Sequence, residues 1–130
     1  GMVFANVDTE IELKGKAVIS DDEFEKNQKR LLLEKTGLIY ESVGNFELAI
    51  THYTNLIYDK DFNYCIFYKR LCECLCEIKD YERCLKAIRL YYTHPPKDVS
   101  FKSEEYFKKQ LMIVNNELNA DFKPSDFTGH

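Results

Sequence analysis

At 130 residues, 45% hydrophobic and 31% charged, the chain is sized for one domain and can fill a core while keeping a solvated surface. A net charge of −4 argues against a nucleic-acid surface, which needs clustered Lys and Arg, and no run of about 18 apolar residues marks a transmembrane helix. Five cysteines, an odd number with no basic-then-apolar leader before them, read as free thiols in a reducing compartment, so the expected location is cytoplasmic.

Residues 1–19 read as an N-terminal arm without firm structure. Ile11 and Leu13 alternate and Lys14-Gly15-Lys16 offers a turn, so a hairpin, a docked strand and a partly ordered tail all fit. Ser20-Asp21-Asp22-Glu23 is a capping-box pattern and starts a helix at about 21. Phe24, Leu31, Leu32, Leu38 and Ile39 recur at helical spacing, and Gly44 stops the helix after Val43. A second helix is predicted over about 46–58, on Phe46, Ala49, Ile50, Tyr53, Leu56 and Ile57. A third is predicted over about 62–78, on Phe67, Leu71, Cys74, Leu75 and Ile78. Lys79-Asp80 replaces Gly44-Asn45 at the next turn. A fourth helix, about 81–92, ends before Pro95-Pro96. Ser100 or Ser103 then caps a fifth helix over about 101–119, whose Phe107, Leu111, Val114 and Leu118 form one narrow apolar stripe. Residues 120–130, with Pro124 and Gly129, read as a tail.

Two stretches of this pattern are the same. Leu33, Thr36, Gly37, Tyr40, Gly44-Asn45-Phe46, Ala49, Tyr53, Leu56 and Asp61 recur 35 residues later as Tyr68, Leu71, Cys72, Leu75, Lys79-Asp80-Tyr81, Cys84, Ile88, Tyr91 and Pro96. This period, with helix–turn–helix in each unit, resembles the tetratricopeptide repeat. Small residues recur in register in both helices, Gly37 with Ala49 and Cys72 with Cys84, where the family packs its paired helices closely. The resemblance implies an all-α fold of two antiparallel helix hairpins with a long first helix and a C-terminal capping helix. The repeats would lie at about 30–63 and 65–98 and the cap at about 101–119, within one domain over 20–119. Two repeats are fewer than the three or so that usually bury a continuous core. The N-terminal segment, a partner or a second copy of the chain (a homodimer) would then cover the open end.

The family builds interaction surfaces, so the resemblance implies a non-catalytic scaffold or adaptor that binds a peptide or protein segment on its concave face. Carried over by position, that face holds Leu31, Glu34, Leu38, Glu41 and Ser42 from the first unit and Ile66, Lys69, Glu73, Cys76 and Glu77 from the second. With Lys69 its only base, the groove favours a basic or apolar segment; the plainer reading is that these Glu residues solvate a helix face. Glu34 and Leu38 occupy the places where a subset of the family clamps a terminal carboxylate, and neither would hold one. A weaker resemblance, to the repeat domain that follows the DNA-binding part of some bacterial transcriptional activators, leaves a regulatory domain as the alternative. No direct nucleic-acid or membrane contact is expected.

The cysteines invite a metal reading, with Cys65/Cys72/Cys76 or Cys72/Cys76/Cys84 as conceivable sets. They sit mid-helix, however, whereas zinc sites draw Cys pairs from turns, and buried Cys is a common small core residue. No metal or cofactor is expected. His52, His94 and His130 have no spacing that pairs them with a Cys, all five glycines are isolated, and no enzyme is expected.

Overall fold

The computed structural model describes residues 20–128, and among them every regular element is a helix. The chain divides into two units, residues 1–32 and 33–130, each taken by itself here. The arm expected over residues 1–19 lies outside the described residues, as do Gly129 and His130.

In the first unit the described residues open helix α1 (Asp21–Ser42). The Oγ of Ser20 accepts the Glu23 amide at 3.1 Å, and Asp21, Asp22 and Glu23 oppose the helix dipole.

The second unit holds the rest of α1, then α2 (Phe46–Ile57), α3 (Cys65–Glu77), α4 (Tyr81–Thr93), α5 (Phe101–Leu118) and α6 (Pro124–Thr128). From α2 to α5 each helix packs on the next, and α6 packs on α4. Gly44 (φ +78°) reverses the chain after α1 in a left-handed conformation that costs glycine little. Asn45 then caps α2, its Oδ1 accepting the Leu48 amide at 3.2 Å. Three tyrosines are fully buried, and each hydroxyl has a partner. Tyr53 donates to Glu41 at 2.6 Å, Tyr68 to the His94 carbonyl at 2.5 Å, and Tyr91 meets Ser103 Oγ at 2.7 Å. Phe107 of α5 stacks on Tyr91 with ring centroids 4.0 Å apart, and Leu111 and Val114 extend that contact, so three of the four residues of the expected stripe are buried.

Three features depart from the sequence reading. Helix α3 starts at Cys65 rather than about 62, because its cap comes from elsewhere: Asp98 Oδ1 accepts the Cys65 amide at 2.7 Å across 33 residues. Lys97 reinforces this by donating its amide to the Asn63 carbonyl and its Nζ to the Asp61 carbonyl, at 3.2 and 3.0 Å. The close approach at Gly37 is to an aromatic ring: a Cβ there would overlap Tyr53. At the second expected pair, Cys84 Sγ reaches the Cys72 carbonyl at 3.9 Å. Residues 120–128 are not a loose tail. Asn119 (φ +53°) turns the chain, Asn115 brackets Phe122 with two backbone hydrogen bonds of 2.8 and 2.9 Å, and Phe127 is buried against Tyr92 with Arg89 over its ring. The division between the two units falls inside α1, and the second unit takes in this C-terminal turn.

Candidate functional site

Helices α1 and α3 flank a cleft of about 360 Å³ lined by Leu38, Glu41, Ser42, Phe46, Arg70, Glu73 and Glu77. Five residues expected on the concave face, Leu38, Glu41, Ser42, Glu73 and Glu77, are therefore brought together. Arg70, absent from the expected set, sits among them and changes the electrostatics.

Arg70 forks onto Glu41. Its Nη2 makes an ion pair with one carboxylate oxygen and its Nε donates to the other at 3.1 Å, where the Tyr53 hydroxyl also donates. The side chains of Arg70 and Glu41 are only 27% and 12% exposed, so the pair is partly desolvated. Burial works against the Glu41 charge, but the hydrogen bonds from Arg70 and Tyr53 and the Arg70 charge outweigh it and hold the carboxyl below its ordinary value. Burial, then the hydrogen bond to Glu41 and its charge, push the Tyr53 hydroxyl well up. Glu41 is thus a committed acceptor with its charge matched.

Glu73 is committed too. It accepts from the Tyr106 hydroxyl and, at 2.9 Å, from Gln110 Nε2, both on α5. It ties α3 to α5 instead of facing solvent. Glu77 is exposed, and Leu38 is 40% exposed. The accessible chemistry of the cleft is therefore one exposed carboxylate, the apolar side chains of Leu38 and the partly exposed Phe46, and the Ser42 hydroxyl, which already donates to the Ile39 carbonyl at 2.8 Å.

The remaining expected residues lie elsewhere. Ile66 and Lys69 line a smaller cleft of about 230 Å³ between α3 and α5, with Ser100, Lys102, Ser103 and Tyr106. The Lys69 ammonium is 5.3 Å from the centre of the Tyr106 ring. Ile66 and Lys69 thus line a different cleft from Leu38, Glu41, Glu73 and Glu77. Cys76 leaves the groove altogether. It shares a face with Cys72, and its Sγ lies 3.7 Å from Cys84 Sγ and 3.8 Å from Gln110 Oε1. Glu34 is half-buried, and Leu31 is half exposed within the first unit.

Four of the thiols are shifted toward the protonated form. Burial pushes Cys65 up and Cys74 up to about 12, the latter helped by the Glu41 charge. Hydrogen bonding to Cys84, then burial, raises Cys76, and contact with Cys72 leads the rise at Cys84. Among the described residues no group of three or more His, Cys, Asp and Glu is arranged to hold a metal ion, and no helix is long and apolar enough to cross a membrane. His52 does structural work, its Nε2 donating to the Leu33 carbonyl at 2.7 Å.

No protein-family model, no curated protein and no solved structure matches this chain.

Proposed function

We propose that the chain is a tetratricopeptide-like interaction module, without catalytic activity of its own, that receives a protein or peptide segment in the cleft between α1 and α3. The observation that carries this reading is the cleft itself: Leu38, Glu41, Glu73 and Glu77 line it together, where the repeat register expects a concave face. Three carboxylates stand against one guanidinium there, so the potential favours a segment carrying a positive charge. Glu77 is the carboxylate with access to a partner's cation, and Leu38 the apolar contact beside it. The residues that a partner would read are consequently fewer than the charge pattern implies.

The test compares wild type with Glu77→Lys and Leu38→Asp in affinity captures from cells that express the protein, followed by titration of any protein lost by both variants. A true partner should weaken roughly tenfold or more with Glu77→Lys, a change of about 1.4 kcal/mol. Its binding should also become less sensitive to salt. Equal affinity for wild type and both variants, with circular dichroism unchanged, would move the interaction off this cleft.

A further inference from the structure

Cys76 and Cys84 have no place in the cleft, yet they are the closest pair of sulfurs given by the structure, 3.7 Å apart and joined by a thiol hydrogen bond. They sit at the end of α3 and in the first turn of α4. Their surroundings differ. Cys84 is fully buried, whereas Cys76 is partly exposed. Cys76 also carries a second contact, to Gln110 Oε1, and the Gln110 amide donates to Glu73 at 2.9 Å and to Tyr106 at 2.6 Å.

We infer that Cys76 and Cys84 form a thiol–disulfide site, in which Cys76 is attacked first and Cys84 resolves it. The oxidant is a low-molecular-weight disulfide such as oxidised glutathione. Cys76 first loses its proton to water, a step made slow at neutral pH by its contact with Cys84 and its burial and faster as pH rises; the thiolate then attacks one of the oxidant's sulfurs, forming a mixed disulfide and releasing the first thiol. The Cys84 thiolate then attacks the Cys76 sulfur of that mixed disulfide and releases the second thiol. The two protein thiols are oxidised, the small disulfide is reduced to two thiols, and the chain loses two hydrogen atoms. Access sets the order, because of the two residues only Cys76 is partly exposed. Closing the bond requires the two sulfurs to approach by more than an ångström, to about 2.05 Å, and draws Cys76 away from Gln110. Gln110 then loses its thiol donor, and the change is felt at Glu73 and Tyr106, on the α3–α5 contact.

The experiment treats the folded full chain with oxidised glutathione, then denatures it in N-ethylmaleimide so that every remaining thiol is blocked, buried ones included, and maps the digest by mass spectrometry with and without reduction. The expected result is a Cys76–Cys84 cross-linked peptide appearing while Cys65, Cys72 and Cys74 stay alkylatable. In Cys84→Ser a glutathione adduct should persist on Cys76, and in Cys76→Ser Cys84 should carry neither an adduct nor a cross-link. Should Cys84→Ser fail to fold, the wild-type map and the exposed-site variant Cys76→Ser decide alone. A cross-link from Cys72 to either residue, modification of Cys84 ahead of Cys76, or a Cys76 adduct that never resolves in wild type would each overturn the assignment.

Discussion

Residues 40–49 and 75–84 close their helix pairs with the same hydrogen bonds but different amino acids. Asn45 and Asp80 donate their amides back to the Tyr40 and Leu75 carbonyls at 2.9 and 2.8 Å, and Gly44 and Lys79 donate to Glu41 and Cys76 at 3.0 Å each. The caps agree to within a few degrees, with φ/ψ of −89/72 at Asn45 and −92/74 at Asp80. Beneath the turns the interiors diverge. The first pair combines Gly37 with the ring of Tyr53; the equivalent places in the second hold Cys72 and Ile88, all but Gly37 fully buried. A larger ring goes with a missing side chain, and a smaller side chain goes with a thiol, so the space is filled twice by different means. Glu41 and Cys76 are likewise equivalent. Glu41 can be charged because the next helix supplies Arg70; Cys76 meets Gln110 of α5 and stays neutral. The turn chemistry repeats, and the side chains beneath it follow whatever packs alongside.

The sharpest way to break this comparison is at Arg70. Arg70→Leu strands the Glu41 carboxylate, so it should cost about 2–3 kcal/mol, below the range for fully buried pairs because the pair is partly exposed. Cys76→Ala, the change at the place equivalent to Glu41, should cost about 1 kcal/mol. Urea unfolding measures both, and similar losses would remove the distinction. The pH dependence has a definite sign. The folded pKa of Glu41 lies below its ordinary value of 4.5, so its stabilisation is present above that value and is lost as pH falls through the folded pKa. Stability curves of wild type and Glu41→Gln should therefore converge on acidification; a constant gap would deny the pair its role.

The turns and caps were legible because their signals are local: Gly44-Asn45, Lys79-Asp80, Ser20 and Ser100 act within four residues. The Arg70–Glu41 pair was not, because 29 residues separate its members and Arg70 follows directly after Lys69, which the family resemblance placed on the groove instead. Cys76 could have been placed correctly, since its spacing from Cys72 puts both on the face that Cys84 approaches. The C-terminal turn also carried a signal: Phe122 and Phe127 flank Pro124, and two large aromatics in six residues are unusual for a solvated tail. The start of α3 was hidden because its cap, Asp98, lies beyond the following helix.

The second perturbation exchanges the interiors. Gly37→Ala puts a methyl into the Tyr53 ring and should destabilise by about 1–3 kcal/mol, despite the better helix propensity of alanine. Making the first pair resemble the second, with Gly37→Cys and Tyr53→Ile together, should cost less than the two single losses added. The rings and the small residue share one space, and contacting sites are not additive. Strict additivity in thermal unfolding would show that Gly37 and Tyr53 do not compensate each other.

The smallest effect addresses the turns themselves. Gly44 and Lys79 both occupy left-handed backbone, at φ +78° and +58°. A Cβ at Gly44 meets nothing nearby, so Gly44→Ala is a test of backbone strain alone and should cost about 1 kcal/mol. Lys79 already carries that strain, and Lys79→Gly relieves it. Part of the relief is offset because glycine has more freedom to lose on folding, leaving a gain of about 0.5 kcal/mol. Opposite signs at two turns with the same hydrogen bonds are the expected result in paired denaturation curves. A loss at both would mean that the Lys79 side chain holds its turn by a contact worth more than the strain, and the two turns would then differ in kind.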